Sequence, residues 1–133
     1  MSKSYIIWDP SYSVNNQLLD SQHQKILELL NELFQTVSAG ENVSLNRIID
    51  AMIDYSLGHL NDEEKILERI KYKDYEVHRA AHQQMRYKSL EVKEQLRVGS
   101  TDLQIDILHF LKDWWLNHIL KMDHLYADSI RGI

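Results

Sequence analysis

His59 and Glu63 stand four residues apart, and so do His78 and His82. On an α-helix that spacing leaves an offset of only about 40° around the axis, so each pair offers two donors to one side. Both pairs fall on stripes that are otherwise largely apolar: Ile48, Met52, Tyr55, Ile66 or Leu67 and Ile70 for the first, Met85, Ser89, Val92 and Leu96 for the second. His23 stands in the same relation to Ile26, Leu30, Leu33 or Phe34 and Val37, and His118 to Leu108, Leu111 and Trp114 or Trp115. Six polar groups therefore occupy positions where the periodicity asks for Leu or Ile. A buried polar group without a partner costs about 1–3 kcal/mol, and a charge costs more, so these groups need each other or a shared partner.

Imidazole and carboxylate donors suit iron, manganese or zinc. The chain has no cysteine, which removes thiolate zinc sites, iron–sulfur clusters, disulfides and cysteine nucleophiles together. Five histidines with carboxylates exceed what one zinc takes and fit two metals bridged by carboxylate. The other two histidines act as a control. His109 lies about half a turn off the face of His118 and His124 about 120° away, so both are expected in solvent.

Bringing these donors to one level requires four helices. With one proline and four glycines in 133 residues, few positions break a helix, and the length is that of a single domain. We expect an all-α, antiparallel up-down-up-down four-helix bundle over residues 1–133, with an irregular N-terminal arm at 1–19 that holds Trp8 and Pro10. The helices are expected at about 20–39, 44–70, 74–98 and 102–129. Asp20 is the expected N-cap of the first, Gly40 and Gly99 the stops of the first and third, and Thr101 with Gln104 a capping box for the fourth. Antiparallel neighbours would then set His23 early in its helix, His59 and Glu63 late, His78 and His82 early and His118 late, all at similar height.

The formal net charge is −5 and the pI about 5.8, with no cluster of Lys or Arg, so no nucleic-acid partner is expected. The start, MSKSYIIWDP, has no signal-type apolar stretch, and no run reaches the roughly 18 apolar residues of a membrane span. No membrane partner and a cytoplasmic location follow as expectations.

Four segments, DSQHQ (20–24), HLNDEEKIL (59–67), HRAAH (78–82) and WWLNHILKMDHLY (114–126), in this order and spacing, resemble the hemerythrin family in its bacterial single-domain form. The resemblance covers essentially the whole chain. It implies two iron ions joined by an oxo or hydroxo bridge, one held by His78, His82 and His118, the other by His23 and His59, with Glu63 and Asp123 bridging. Asp123 enters only through the resemblance, because its five-residue offset from His118 is about 140° on a regular helix. For it to reach the metals, the helix must widen locally near 118–123 or approach rotated. The implied function is reversible binding of dioxygen for carriage, storage, delivery or sensing, with anions such as azide at the diferric site and no substrate turned over. A di-iron redox enzyme and an iron or nitric oxide handling protein are the alternatives on the same site.

The resemblance also marks a ligand pocket at Leu60, Trp114, Trp115 and Ile119. The family usually has Phe directly after the second-helix histidine, where this chain has Leu60, and Leu three residues before the fourth-helix histidine, where it has Trp115. One side chain has shrunk and the other has grown. Trp115, about 60° off the His118 direction, either narrows the pocket or packs at a helix interface. Trp114 is the expected family residue, and Tyr72 and Tyr126 match tyrosines common in relatives.

Overall fold

The structure, a computed structural model, describes residues 6–39, 42–98 and 104–130. Gly40, Gly99 and Thr101, expected above as helix stops and a cap, lie outside them. Helix α1 spans Gln17–Ser38, α2 Asn42–Arg69, α3 Tyr75–Val98 and α4 Gln104–Asn117. Beyond α4 the chain keeps winding, as a π-turn at His118–Met122, a 3-10 turn at Asp123–Tyr126 and a short helix α5, Ala127–Ile130. Among the described residues there is no strand, and the arrangement is an all-α four-helix bundle. No helix of these residues is long and apolar enough to cross a membrane.

The first helix starts earlier than Asp20. Asn16 caps it, its side chain accepting from the Leu19 N–H at 3.0 Å. Asp20 lies inside the first turn, where its carboxylate accepts from the Ser13 hydroxyl at 2.6 Å and the Val14 N–H at 2.8 Å, tying the arm to the helix. Farther out, Ile6 and Asn31 exchange two hydrogen bonds of 2.7 Å, and a 3-10 turn at Pro10–Tyr12 is capped by Asp9. His124 is exposed, as its helical angle implied, but it donates to the Ser11 carbonyl at 2.7 Å and so pins the arm to the far end of the chain. His109 is exposed.

Two apolar clusters form the interior. The larger includes Ile26, Leu30, Met52, Leu60, Met85, Leu111, Trp115 and Ile119, and the smaller Leu19, Leu67, Tyr72, Tyr126 and Ile130. Helices α1, α2 and α3, and the chain running from α4 through the turns that follow it, each pass from one cluster to the other, and the positions at which they cross are polar: His23, Glu63, His78 with His82, and Asp123. Residues early in α1, late in α2, early in α3 and in the turns just after α4 can share one level only if successive helices alternate in direction. The polar layer therefore sits across the middle of an up-down-up-down bundle.

Candidate metal centre

His23, His59, Glu63, His78, His82, His118 and Asp123 are all brought together, and each is at most 4% exposed. Their donor atoms form two overlapping groups: Glu63, His78, His82, His118 and Asp123 in one, His23, His59, Glu63 and Asp123 in the other. Within each group every donor lies within 4.8 Å of the others. The two carboxylates are common to both, and their oxygens are divided between them. Glu63 Oε1 lies 2.5 Å from His78 Nε2 and 3.0 Å from His82 Nε2, whereas its Oε2 lies 3.2 Å from His59 Nε2. Asp123 Oδ1 lies 3.0 Å from both His78 Nε2 and His118 Nε2, and its Oδ2 lies 3.0 Å from His23 Nε2.

The Asp123 contacts have the lengths of hydrogen bonds but not their directions. Among the described residues, neither Asp123 oxygen receives a hydrogen bond of acceptable angle although both are buried. The histidines crowd each other at the same distance: His23 Nε2 and His59 Nε2 are 3.1 Å apart, and His82 Nε2 and His118 Nε2 are 3.0 Å apart. Metal–nitrogen bonds of about 2.1 Å meeting near a right angle separate their nitrogens by about 3.0 Å. Orphaned carboxylate oxygens beside imidazole nitrogens at that separation fit a pair of cations between the donors.

Two rings have their outer nitrogen fixed. Gln22 donates its amide to Asp62 Oδ2 at 2.8 Å, which turns its carbonyl toward His59; His59 Nδ1–H donates to that Oε1 at 2.6 Å. His82 Nδ1–H donates to Glu64 Oε2 at 2.9 Å, and Glu64 is itself paired with Arg86. With the proton on Nδ1, each Nε2 keeps its lone pair for the cluster. On the inner side, the Tyr126 hydroxyl donates to Glu63 Oε2 at 3.0 Å. Burial, then the charges of Glu63 and Asp123, push the Tyr126 hydroxyl well above its ordinary pKa, so it remains a donor.

Without a cation, protons balance the charge. Burial pushes the imidazolium forms of His23, His78 and His118 down, but close contact with the charged Asp123 and Glu63 outweighs it and raises all three to about 9. His59, for which burial dominates, is lowered. Burial drives the two carboxyls up, yet the surrounding histidines hold both below the usual carboxylate range.

Asp123 reaches the layer through the π-turn. Its N–H bonds to the His118 carbonyl, five residues back, so the turn holds one residue more than a regular α-turn. That extra residue rotates Asp123 onto the face that His118 occupies. Gln22, Glu64 and Arg86 carry no periodic signal, because they flank the inward stripes instead of lying on them.

The pocket residues separate into two kinds. Leu60, Trp115 and Ile119 are buried in the larger apolar cluster. Trp114 is half-buried and stacks flat on the His118 ring, with centroids 4.5 Å apart and planes 13° from parallel. Trp114 and His118 also border an open surface cleft with Gln84 and Lys121. Trp115 instead crosses the core, its ring 5.7 Å from that of His59.

Comparison with known proteins agrees with this architecture. The chain is 30% identical over 119 residues to the bacteriohemerythrin of Methylococcus capsulatus, covering 90% of this chain and 91% of the relative. It is 27% identical over 124 residues to the myohemerythrin of Sipunculus nudus, covering 93% and 92%. A crystal structure of wild-type hemerythrin superposes with a TM-score of 0.90 at 27% identity, covering 97% of this chain and all of the other. The hemerythrin HHE cation-binding domain matches residues 14–129, and the chain belongs to the hemerythrin family.

Proposed function

We propose that this protein holds a di-iron centre and binds dioxygen reversibly. His78, His82 and His118 would hold one iron and His23 and His59 the other, with Glu63 and Asp123 bridging the pair. The observation that carries this reading is the division of the two carboxylates, each with one oxygen toward the three-histidine group and one toward the two-histidine group. Such a centre, when loaded and bridged by oxo or hydroxo, supplies two electrons to dioxygen and takes them back on release.

The protein's share is to set the donors and keep water out. The three-histidine group has five protein donors and the two-histidine group four, so the position left for an outside ligand falls on the side of His23 and His59. That side is capped by apolar core, including Leu60 and Trp115, whereas His118 lies at the edge of a surface cleft. Tyr126 holds one oxygen of Glu63, and Gln22 and Glu64 hold the rings of His59 and His82 in the tautomer a metal needs. The excess of histidine over carboxylate supports binding over oxidase chemistry, since ferritin-like di-iron sites are built mainly from glutamates. Carriage, storage, delivery and sensing all use the same binding step.

Charge supports the assignment. Two Fe(II) ions, two carboxylates and one hydroxide sum to about +1, and so do three imidazolium groups with two carboxylates. Anaerobic reduction followed by exposure to dioxygen tests the reading: the visible absorption of the oxygenated centre should appear and then disappear on deoxygenation. Irreversible conversion to the oxidised form would favour a redox enzyme.

A further inference from the structure

Trp115 is fully buried on α4, yet its ring touches one histidine of each group: His59 on α2 at 5.7 Å between centroids, and His118 at 6.1 Å. It roofs the polar layer from the side of the larger apolar cluster. Trp114 packs edge-on against it at 4.9 Å while itself stacking on His118, so the indole is wedged in one orientation. Its Nε1–H is buried and has no acceptor among the described residues. Buried donors are nearly always met, so one left over beside a ligand site calls for a partner that the described residues do not supply. Ser56 repeats the pattern. In this bundle α2 and α4 run the same way, and Ser56 precedes His59 by the three residues that separate Trp115 from His118, so the two share a layer. The Ser56 hydroxyl is likewise buried without a partner among the described residues.

We infer that Trp115 Nε1–H donates a hydrogen bond to the small ligand taken up on the His23 and His59 side. This makes Trp115 a specificity-determining residue, favouring ligands whose outer atom accepts a hydrogen bond, as in dioxygen and azide. The inference rests on the di-iron reading, and goes beyond it by assigning the roof a polar role. Steric narrowing alone makes no use of the N–H.

The test uses the iron-loaded, oxidised full chain with azide as probe, comparing wild type, Trp115→Phe, which keeps an aromatic ring without the N–H, and Trp115→Leu. Iron content is measured first. Loss of the bond should weaken azide about tenfold or more in Trp115→Phe, through faster dissociation, with association changed by less than about threefold. Trp115→Leu should bind as weakly but associate faster. Independently of any variant, the Raman band sensitive to indole N–H bonding should shift when azide is added to loaded wild-type protein, and should not shift in metal-free protein. Equal azide affinity in wild type and Trp115→Phe, or an unshifted band, overturns the hydrogen bond while leaving the di-iron reading intact. Wild-type protein that takes up no iron overturns that reading, and this inference with it. If Trp115→Phe does not hold iron, the Raman comparison in wild type decides alone.

Discussion

Asp123 and Glu63 enter one buried layer from different helices and divide their oxygens alike, Glu63 Oε1 and Asp123 Oδ1 toward His78, Glu63 Oε2 and Asp123 Oδ2 toward His59 and His23. Neither residue is exposed to solvent at all. Removing one bridging arm should therefore leave two half-sites that no longer share a ligand. Glu63→Gln and Asp123→Asn should each lower iron from roughly two per chain to one or fewer and abolish the absorption of the bridged centre. Iron assay with the visible spectrum checks this; full iron content in both variants would show that the carboxylates do not bridge.

The position of Asp123 depends on one extra residue in the turn after His118. Deleting Leu120, which is 41% exposed, shortens the His118 to Asp123 interval to four, and a regular helix then leaves the two only about 40° apart. Inserting an alanine after Leu120 lengthens the interval to six and carries the carboxylate about 100° farther round a helical path. We expect helicity by circular dichroism to be similar in both, most of the iron to be kept by the deletion, and about half or more to be lost by the insertion. Equal loading in the two variants would mean that the widened turn is not what delivers the carboxylate.

Protons and metal should compete for the layer. His23, His78 and His118 are raised to about 9 from an ordinary 6.5, so each stabilises the metal-free fold fully below pH 6.5 and loses that contribution as pH rises through about 9. Metal-free protein should therefore lose stability across that interval, as chemical denaturation at several pH values would show. Ligation needs neutral imidazole, so loading two Fe(II) at pH 7 should release about three protons from these rings and one more from a bridging water. A pH-stat trace with less than about one proton released would contradict this charge balance.

Tyr126 makes a buried hydrogen bond to Glu63 Oε2, and Tyr126→Phe should cost about 1–2 kcal/mol of stability in the metal-free protein. The loaded protein should keep its iron but exchange it faster with a chelator. Unchanged melting and unchanged chelation rates would place the hydroxyl outside the working network.

Much of the layer is legible in the residues alone. The i,i+4 pairs and the histidines on apolar stripes follow from helical periodicity, which is strong where a helix is regular. Asp123 is not accessible to that argument, because a π-turn breaks the period at the residue that matters, and the family resemblance supplies it. Asp20 reads as a helix cap since Asp is a good cap by type; the neighbouring Asn16 caps instead and frees Asp20 to hold the arm. Gln22, Glu64 and Arg86 are silent in the pattern because their roles depend on which face neighbouring helices present. The reach of Trp115 to His59 is a property of diagonal packing across the core, which no single-helix projection contains.

A di-iron centre that binds dioxygen and lets it go is tested most directly on protein reconstituted with Fe(II) under anaerobic conditions. The protein is assayed for metal and then cycled between dioxygen and argon while its visible spectrum is recorded. Roughly two irons per chain, and an absorption that comes and goes over repeated cycles, are the predicted result. About one zinc and no iron, or a spectrum that never reverses, would contradict it.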